Sequence, residues 1–285
     1  MLAIMMNGDL VKPEDAQISV LDHGFLFGDS IYEVVRLKKG VLFGPRHHFK
    51  RLRYSAKNIG LVIPWDNEFL LEELERMANY LGLQEASLRL MITRGVGPLT
   101  LDPEQCENPT RILFGKESSL PSPDMYEKGV SVAVSDIRKS PASLEKGNLK
   151  TGNYLDHVLA LKTAKQHGCH EALLLNHVGE VAECTTSNIF WFKDGILYTP
   201  SLGSGVLKGM TRQLTMELAR RDSITVVEGR FPIDQLLDAD EVFITSTSRE
   251  ILPVSRIGES EYGVGASTRA LMGAFHTLDV NLLDF

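Results

Sequence analysis

Cysteine is scarce in this 285-residue chain: three residues, at 106, 169 and 184, odd in number and far apart, with no Cys-x-x-Cys. A disulfide framework and a zinc knuckle are therefore excluded, and a reducing compartment, the cytoplasm, is the expectation. Positive charge is not in excess either. Lys and Arg number 30 against 37 Asp and Glu, a formal net charge of −7. That argues against a nucleic-acid binder, whose phosphate contacts need a basic face, although a local basic patch could serve a small anion. No apolar run reaches the roughly eighteen residues of a membrane span. The start, Met1-Leu-Ala-Ile-Met-Met-Asn-Gly8, lacks the basic residues and long apolar core of a signal peptide. Nor is there a Gly-x-Ser-x-Gly elbow, a His-Glu-x-x-His or a histidine/carboxylate metal cluster, so no metal site is expected.

What is present suffices for one large or two ordinary domains, since 43% of the residues are hydrophobic. Asn7-Gly8 signals a tight hairpin turn within residues 2–20, and Ile31–Leu37 reads as a strand turned at Lys39-Gly40. The spacing of Phe49, Leu52, Ala56 and Ile59 predicts a helix over 47–59. A second helix is expected from Asn67 as cap to Gly82, followed by strands at 87–93 and 110–114 around a shaped Gly/Pro loop, 94–103. Ser118–Pro123 resembles a linker. The expected organisation is a small domain over 1–117, a linker over 118–127 and a larger domain over 128–285. In the larger domain, helices are expected at 154–167, 211–220 and 267–277 and strands at 129–134 and 241–245. The first of these helices is expected to turn Leu155, Val158, Leu159 and Leu161–Lys162 inward. The class is α+β.

The segment from Glu171 to Pro200 reads as an antiparallel meander, yet Glu183 stands among Val, Ala and Cys at a strand end. A buried carboxylate there needs a cation or proton donor as partner. Three further features could carry chemistry. Leu202-Gly-Ser-Gly-Val-Leu-Lys-Gly-Met-Thr-Arg212 is a glycine-rich loop entering a helix, a cup for phosphate. Its Gly203-x-Gly205-x-x-x-Gly209 spacing is one residue too long for the dinucleotide fingerprint, and it lacks the Gly-Lys-Ser/Thr of a P-loop. Thr245-Ser-Thr-Ser-Arg249 places four hydroxyls at a strand end, and Arg51 could add fixed charge for a phosphate. Lys150 sits where an irregular stretch meets an apolar helix, a placement suited to Schiff-base chemistry if desolvated. Singly, the hydroxyls are equally a solvated strand end, and the other three are more often a capped loop, a surface arginine and a loop lysine.

Their order is more telling. Asp22-His-Gly-Phe-Leu-Phe-Gly-Asp-Ser-Ile-Tyr-Glu-Val-Val-Arg36 is followed by His48-Phe-Lys-Arg51-Leu-Arg-Tyr-Ser-Ala56 and Lys150-Thr-Gly-Asn-Tyr154-Leu. Gly179-Glu-Val-Ala-Glu183, Ser187-Asn-Ile-Phe190, Gly205-Val-Leu207-Lys-Gly-Met210-Thr211-Arg and Thr245-Ser-Thr247-Ser-Arg-Glu-Ile-Leu-Pro-Val254 complete the series. Across residues 5–280 the chain resembles the class IV (fold type IV) pyridoxal-phosphate aminotransferases: branched-chain and D-amino acid aminotransferases and aminodeoxychorismate lyases.

The resemblance implies a small α/β domain, a larger one with a barrel-like sheet, and pyridoxal 5'-phosphate between them. It implies a homodimer, with the loop near 94–103 closing the neighbour's site. Lys150 matches the lysine that bonds the cofactor and then shuttles the substrate proton. Glu183 matches the acid on the pyridine nitrogen, so that its partner is the cofactor rather than a side chain. Arg51, the Met210 and Thr211 backbone and Thr247 match the phosphate cup, Leu207 packs under the ring, and Tyr154 reaches the ring hydroxyl. Tyr32, Arg36, Arg89 and Ser248 are the substrate-facing candidates. The substrate signals are mixed. The Arg and His that trap the carboxylate in D-amino acid enzymes are replaced by Leu99-Thr100-Leu101, whereas Tyr32-Glu-Val34-Val-Arg36 looks D-type. Ser87-Leu-Arg89 keeps the arginine and loses the tyrosine of the branched-chain Tyr-x-Arg, and Lys150-Thr-Gly-Asn is one residue shorter than usual there. Glu-Ala-Leu-x-Leu and Glu-Cys are shared with the lyases. The expectation is a transaminase for a branched-chain-like L-amino acid and a 2-oxo acid, with lyase and D-amino acid or (R)-amine transaminase as alternatives.

Overall fold

A computed structural model describes residues 2–118, 120–139 and 149–278. They form two compact units, one of residues 2–118 with Leu149–Asn153, the other of residues 120–139 and Tyr154–Leu278. The stretch expected as a linker divides between them and holds a short helix, Pro123–Lys128. The Lys146–Asn148 part of the stretch before Lys150 lies outside the described residues, as do 279–285.

The first unit is built on an antiparallel sheet in the order β2-β1-β6-β5-β3-β4. The strands are β1 (Leu2–Met6), β2 (Asp9–Val11), β3 (Ser30–Lys38), β4 (Val41–Leu42), β5 (Ala86–Thr93) and β6 (Arg111–Glu117). Asn7-Gly8 and Lys39-Gly40 make its hairpins, with φ of 51° and 100°, and 52° and 77°. A short helix α1 (His23–Phe27) precedes β3. One face of the sheet is covered by α2 (Pro45–Asn58) and α3 (Asn67–Leu81). Phe49, Leu52 and Ala56 meet Ile31, Val35, Leu88 and Leu90 there in one buried cluster. The cap of α3 is Asp66, one residue before the expected Asn67. Its carboxylate accepts the Phe69 N–H at 2.8 Å.

The second unit carries a nine-stranded sheet, in the order β12-β11-β10-β13-β14-β7-β8-β9, with β15 (Ser260–Glu261) on β14. Its strands are β7 (Val130–Lys139), β8 (Glu171–Asn176), β9 (Val181–Cys184), β10 (Asn188–Lys193), β11 (Ile196–Pro200), β12 (Val226–Gly229), β13 (Glu241–Ser246) and β14 (Glu250–Ile257). The sheet curls into a half-barrel. Val181 N–H on the β9 edge donates to Phe231 O at 2.8 Å, just past β12. The expected meander is thus two hairpins at separate places in the sheet, because β10 pairs β13 rather than β9. The corner between them is pinned by the buried Glu171 carboxylate, which accepts from the Thr186 and Ser187 hydroxyls and from Arg249.

Besides the Pro123–Lys128 helix (α4), the unit has α5 (Leu155–Gln166), α6 (Met210–Arg221), α7 (Ile233–Leu237) and α8 (Ala266–His276). Helix α5 reverses the sequence expectation. Its buried residues are Ala160 and Ala164, which pack with Cys169, Ala172 and Leu174. Leu155, Val158 and Leu159 are exposed, at 69%, 56% and 43%. Small alanines let the helix lie close on the sheet, and the larger side chains turn away.

Helix α3 crosses β6 at Gly115. A Cβ there would lie 2.6 Å from Met77 Sδ and 2.9 Å from Leu81 Cδ1. Gly115→Ala should therefore cost about 1–3 kcal/mol in urea unfolding, the usual penalty for overpacking. Met77→Ala in the same chain should recover part of that loss, and purely additive effects would contradict the contact.

Candidate active site

Lys150 belongs to the first unit, on the free edge of β3. Strand β4 pairs only with Leu37 and Lys38, so the other end of β3 is open to a new neighbour. Residues 150–152 take it. Tyr32 N–H donates to Lys150 O at 3.0 Å and Gly152 N–H to Ser30 O at 2.9 Å. The Lys150 N–H is held by Ser55 Oγ of α2 at 3.1 Å. With its backbone fixed on both sides, Lys150 carries Nζ over the Tyr32 ring, 4.3 Å from the centroid. Arg89 of β5 lies over the same ring at 4.0 Å. Lys150, Tyr32 and Arg89 thus form one group, and Arg36 does not join it. Arg36 lies four residues further along β3, where its guanidinium binds Glu85 at 3.1 and 2.7 Å.

Arg51 is locked from below. Its Nε and Nη2 bind the two oxygens of Glu33 at 2.6 and 2.7 Å, and His48 Nδ1 lies 2.6 Å from the same carboxylate. Glu33 and His48 are both buried. Burial pushes the Glu33 carboxyl up, but the Arg51 guanidinium, helped by His48, outweighs it and holds the group far below the ordinary carboxylate range. Burial lowers the His48 pKa against the opposing pull of Glu33, so the imidazole is neutral and Nδ1–H donates. Its buried Nε2 has no hydrogen-bond partner among the described residues. Sequence reasoning passed over Glu33. The signal was available: a lone acid on the apolar face of β3, opposite a helix bearing His48 and Arg51.

In the second unit Glu183 is the centre. Lys139, at the end of β7, makes an ion pair with Oε1. Oε2 accepts from Leu207 N–H at 2.8 Å and Asn188 Nδ2 at 3.2 Å, and the same amide donates to Leu207 O at 2.9 Å. Glu183 therefore has a side-chain cation, contrary to the expectation that its partner is the cofactor alone. Sequence reading missed Lys139 because 44 residues separate the pair. The parallel pairing of β7 with β8, and the hairpin from β8 to β9, bring the two strand ends together.

Beside this group lies a set of unused donors. Helix α6 begins at Met210 after Gly209, and no side chain caps it. Thr211 Oγ1, Thr245 Oγ1 and Ser246 Oγ are buried without a hydrogen-bond partner among the described residues. Asn188 ties them into one place. It faces Thr245 across β10 and β13, and its side-chain oxygen lies where a Cβ on Gly209 would fall. Orphaned hydroxyls at an uncapped helix N-terminus are chemically matched to a phosphate dianion. Thr247 and Ser248 lie in the adjoining turn, half-buried. That turn is held by Arg249, whose guanidinium reaches Glu171 and whose carbonyl accepts from Tyr126 at 3.0 Å. Tyr154 stands before α5, its ring 4.7 Å from that of His157. His157 in turn binds Thr185 O at 2.7 Å, and His23 binds Pro98 O at 3.0 Å. These are partners the sequence did not show. The residues of the second unit thus fit a phosphorylated, nitrogen-containing ring, with an acid and an anion cup. No metal-holding group of His, Cys, Asp or Glu occurs among the described residues. No helix there is long and apolar enough to cross a membrane.

Known proteins are similar to this chain in sequence and fold. The family model for class IV amino-transferases matches residues 30–257. The chain belongs to that family. It is 38% identical over 257 residues to a putative branched-chain-amino-acid aminotransferase of Methanocaldococcus jannaschii, covering 90% of this chain and 88% of that protein. It is 35% identical over 263 residues to a D-alanine aminotransferase of Listeria monocytogenes, with the same coverage. Among solved structures, a branched-chain amino acid aminotransferase from T.th., bound to pyridoxamine 5'-phosphate, matches with a TM-score of 0.89 and 31% identity, covering 96% of this chain and 92% of that one. The 4-amino-4-deoxychorismate lyase of Pseudomonas aeruginosa matches with a TM-score of 0.86 and 27% identity, covering 99% and 100%.

The Glu33 group makes a pH prediction. Both Glu33 and His48 have folded-state pKa values below their ordinary ones, so each adds stability above its unfolded pKa that is lost as pH falls. Stability should therefore decline from about pH 6.5 downward as the unfolded chain takes up His48's proton, and again below about pH 4.5 through Glu33. His48→Gln should flatten the first part of a urea-midpoint profile between about pH 7 and 5. Arg51→Leu should cost about 3–5 kcal/mol at pH 7, because it strands the buried Glu33 charge. An unchanged profile in the first variant would remove His48 from the account.

Proposed function

We propose that this chain is a pyridoxal-phosphate-dependent transaminase that moves an amino group between a branched-chain-like L-amino acid and a 2-oxo acid. The observation that carries the substrate class is the loop between β5 and β6. From 95 to 110 it has no Lys, Arg or His, and it presents Leu99 and Leu101 at 75% and 79% exposure. Such a loop offers no cation for a carboxylate and suits an apolar side chain. Arg89, on the Tyr32 ring, is the cation left for the substrate's own carboxylate. Arg36, with Glu85 across its guanidinium, is better placed to steady β3.

Pyridoxal phosphate, when bound, supplies the electron-withdrawing ring that makes the amino acid's Cα–H acidic. Lys150 Nζ takes that proton and returns one, its backbone held by β3 and Ser55 so that the amine swings over a fixed ring face. Glu183 would hold the ring nitrogen. The start of α6, Thr211, Thr245, Ser246 and Thr247 would hold the phosphate, and Arg51, whose aim Glu33 fixes, would supply fixed positive charge for it. Leu207 and Tyr154 border the ring. Amino donor and oxo-acid acceptor would occupy one site in turn, with Lys150 moving the proton in each half and the cofactor, when bound, keeping the amino group between them, which gives ping-pong kinetics.

A donor panel tests this reading. It should cover L- and D-amino acids, (R)-amines and aminodeoxychorismate, each with and without 2-oxoglutarate. Branched-chain L-amino acids should turn over fastest, and Lys150→Ala should lose at least about a hundredfold of that rate. Pyruvate released from aminodeoxychorismate without an oxo-acid acceptor would replace the reading with the lyase. A fastest rate with D-alanine would replace it with the D-amino acid enzyme. Full turnover by Lys150→Ala would end the transaminase reading altogether.

The exposed stripe Leu155–Val158–Leu159 on α5 supports a homodimer, since an apolar helix face of this kind is normally covered by another chain. Light scattering of the purified protein should give twice the chain mass, and Val158→Asp should lower it toward one chain. A monomeric wild type would exclude the assembly.

A further inference from the structure

The carboxylate of Glu183 is already well supplied. An ionised carboxylate has about four lone-pair sites. Lys139 occupies one on Oε1, and Leu207 N–H and Asn188 Nδ2 occupy two on Oε2, so the one site left lies on Oε1, beside the Lys139 ammonium and under its charge. The pair is largely out of water, with side-chain exposures of 12% for Lys139 and 8% for Glu183. A charge there without a counter-ion is costly. Yet the reading above brings a second cation, the ring nitrogen, to the same carboxylate.

We propose that Lys139 is a stand-in cation: it neutralises Glu183 in the cofactor-free protein and competes with the ring nitrogen for Oε1 when the cofactor binds. The inference rests on the role given to Glu183 above. Lys139 touches no reacting atom in this account, so it is a positioning residue. Its place fits the role. It ends β7, anchored by pairing with Asn176, and meets the one oxygen of Glu183 that the backbone and Asn188 leave open. The neutral donors on Oε2 keep the carboxylate in position whichever cation is present, so the exchange needs no movement of Glu183.

The consequence is a thermodynamic linkage with a definite sign. A lysine that only builds structure would stabilise free and bound protein alike. A stand-in stabilises the free protein more, because the bound one has its own cation. Wild type, Lys139→Met and Lys139→Arg are prepared free of cofactor and titrated with pyridoxal phosphate, read by absorbance, with thermal melts before and after. Lys139→Met should melt lower than wild type when free and close to wild type when loaded. Its affinity for pyridoxal phosphate should rise about fivefold or more. Lys139→Arg, which keeps the charge, should follow wild type in both. If Lys139→Met folds too poorly when free, Lys139→Gln keeps a neutral donor and is read the same way. An equal drop in both melts, or unchanged or weaker affinity, overturns the proposal. Failure of the wild type to bind pyridoxal phosphate would instead overturn the transaminase reading, so the two failures are distinct.

Discussion

A buried carboxylate must be met by donors, and the second unit is arranged around that requirement. Glu183 ends β9, draws in the amide of Leu207 and the side chain of Asn188, and closes on Lys139. Each of these contacts fixes something else. The bond to Leu207 N–H sets the path of the glycine-rich loop. Asn188, bound to both ends of that contact, lies against Gly209 and leaves it no room for a side chain. Helix α6 therefore starts where its free N–H groups stand beside the unused hydroxyls of Thr211, Thr245 and Ser246. The buried acid and the group of unused hydroxyls are thus two ends of one hydrogen-bonded chain.

The first unit solves a similar problem differently. Glu33 sits on the apolar face of β3 and is matched by a fork of Arg51 nitrogens and by a neutral imidazole. The carboxylate gives the guanidinium a single direction, at the cost of most of its local charge. Buried ion pairs of this kind contribute little net stability against an apolar substitute, but they define geometry. The two buried glutamates thus do comparable work: each holds a neighbouring group in a fixed attitude.

Much of this was legible in the chain itself. Asn7-Gly8 and Lys39-Gly40 both turn with positive φ at both residues, as expected of them. The apolar stripes of α2 and α3 face the sheet as their spacing requires. Lys150, Glu183 and the α6 loop stood out because their residue types are unusual in those places. What escaped was of two kinds. Partners far apart in sequence, such as Lys139 with Glu183 and Glu171 with Arg249, are joined only by strand order, which local patterns do not carry. Direction of burial also escaped. Leu155, Val158 and Leu159 form a regular apolar stripe, and periodicity alone cannot distinguish a stripe facing its own sheet from one facing outward. The meander failed for the same reason, since a polar corner at Thr185–Ser187 can join neighbouring strands or separate them.

The five residues Leu149–Asn153 belong with the first unit, while Tyr154 onward belongs to the second. Cutting the gene after residue 118 would thus give a fragment whose β3 has lost an edge partner, Lys150–Gly152 being encoded elsewhere. Neither piece could be inherited, swapped or expressed as a self-sufficient module. Synthesis on the ribosome has the same consequence. The edge of β3, which ends at Lys38, waits more than a hundred residues for the segment that completes it, so Lys150 is delivered only after the sheet that receives it has emerged.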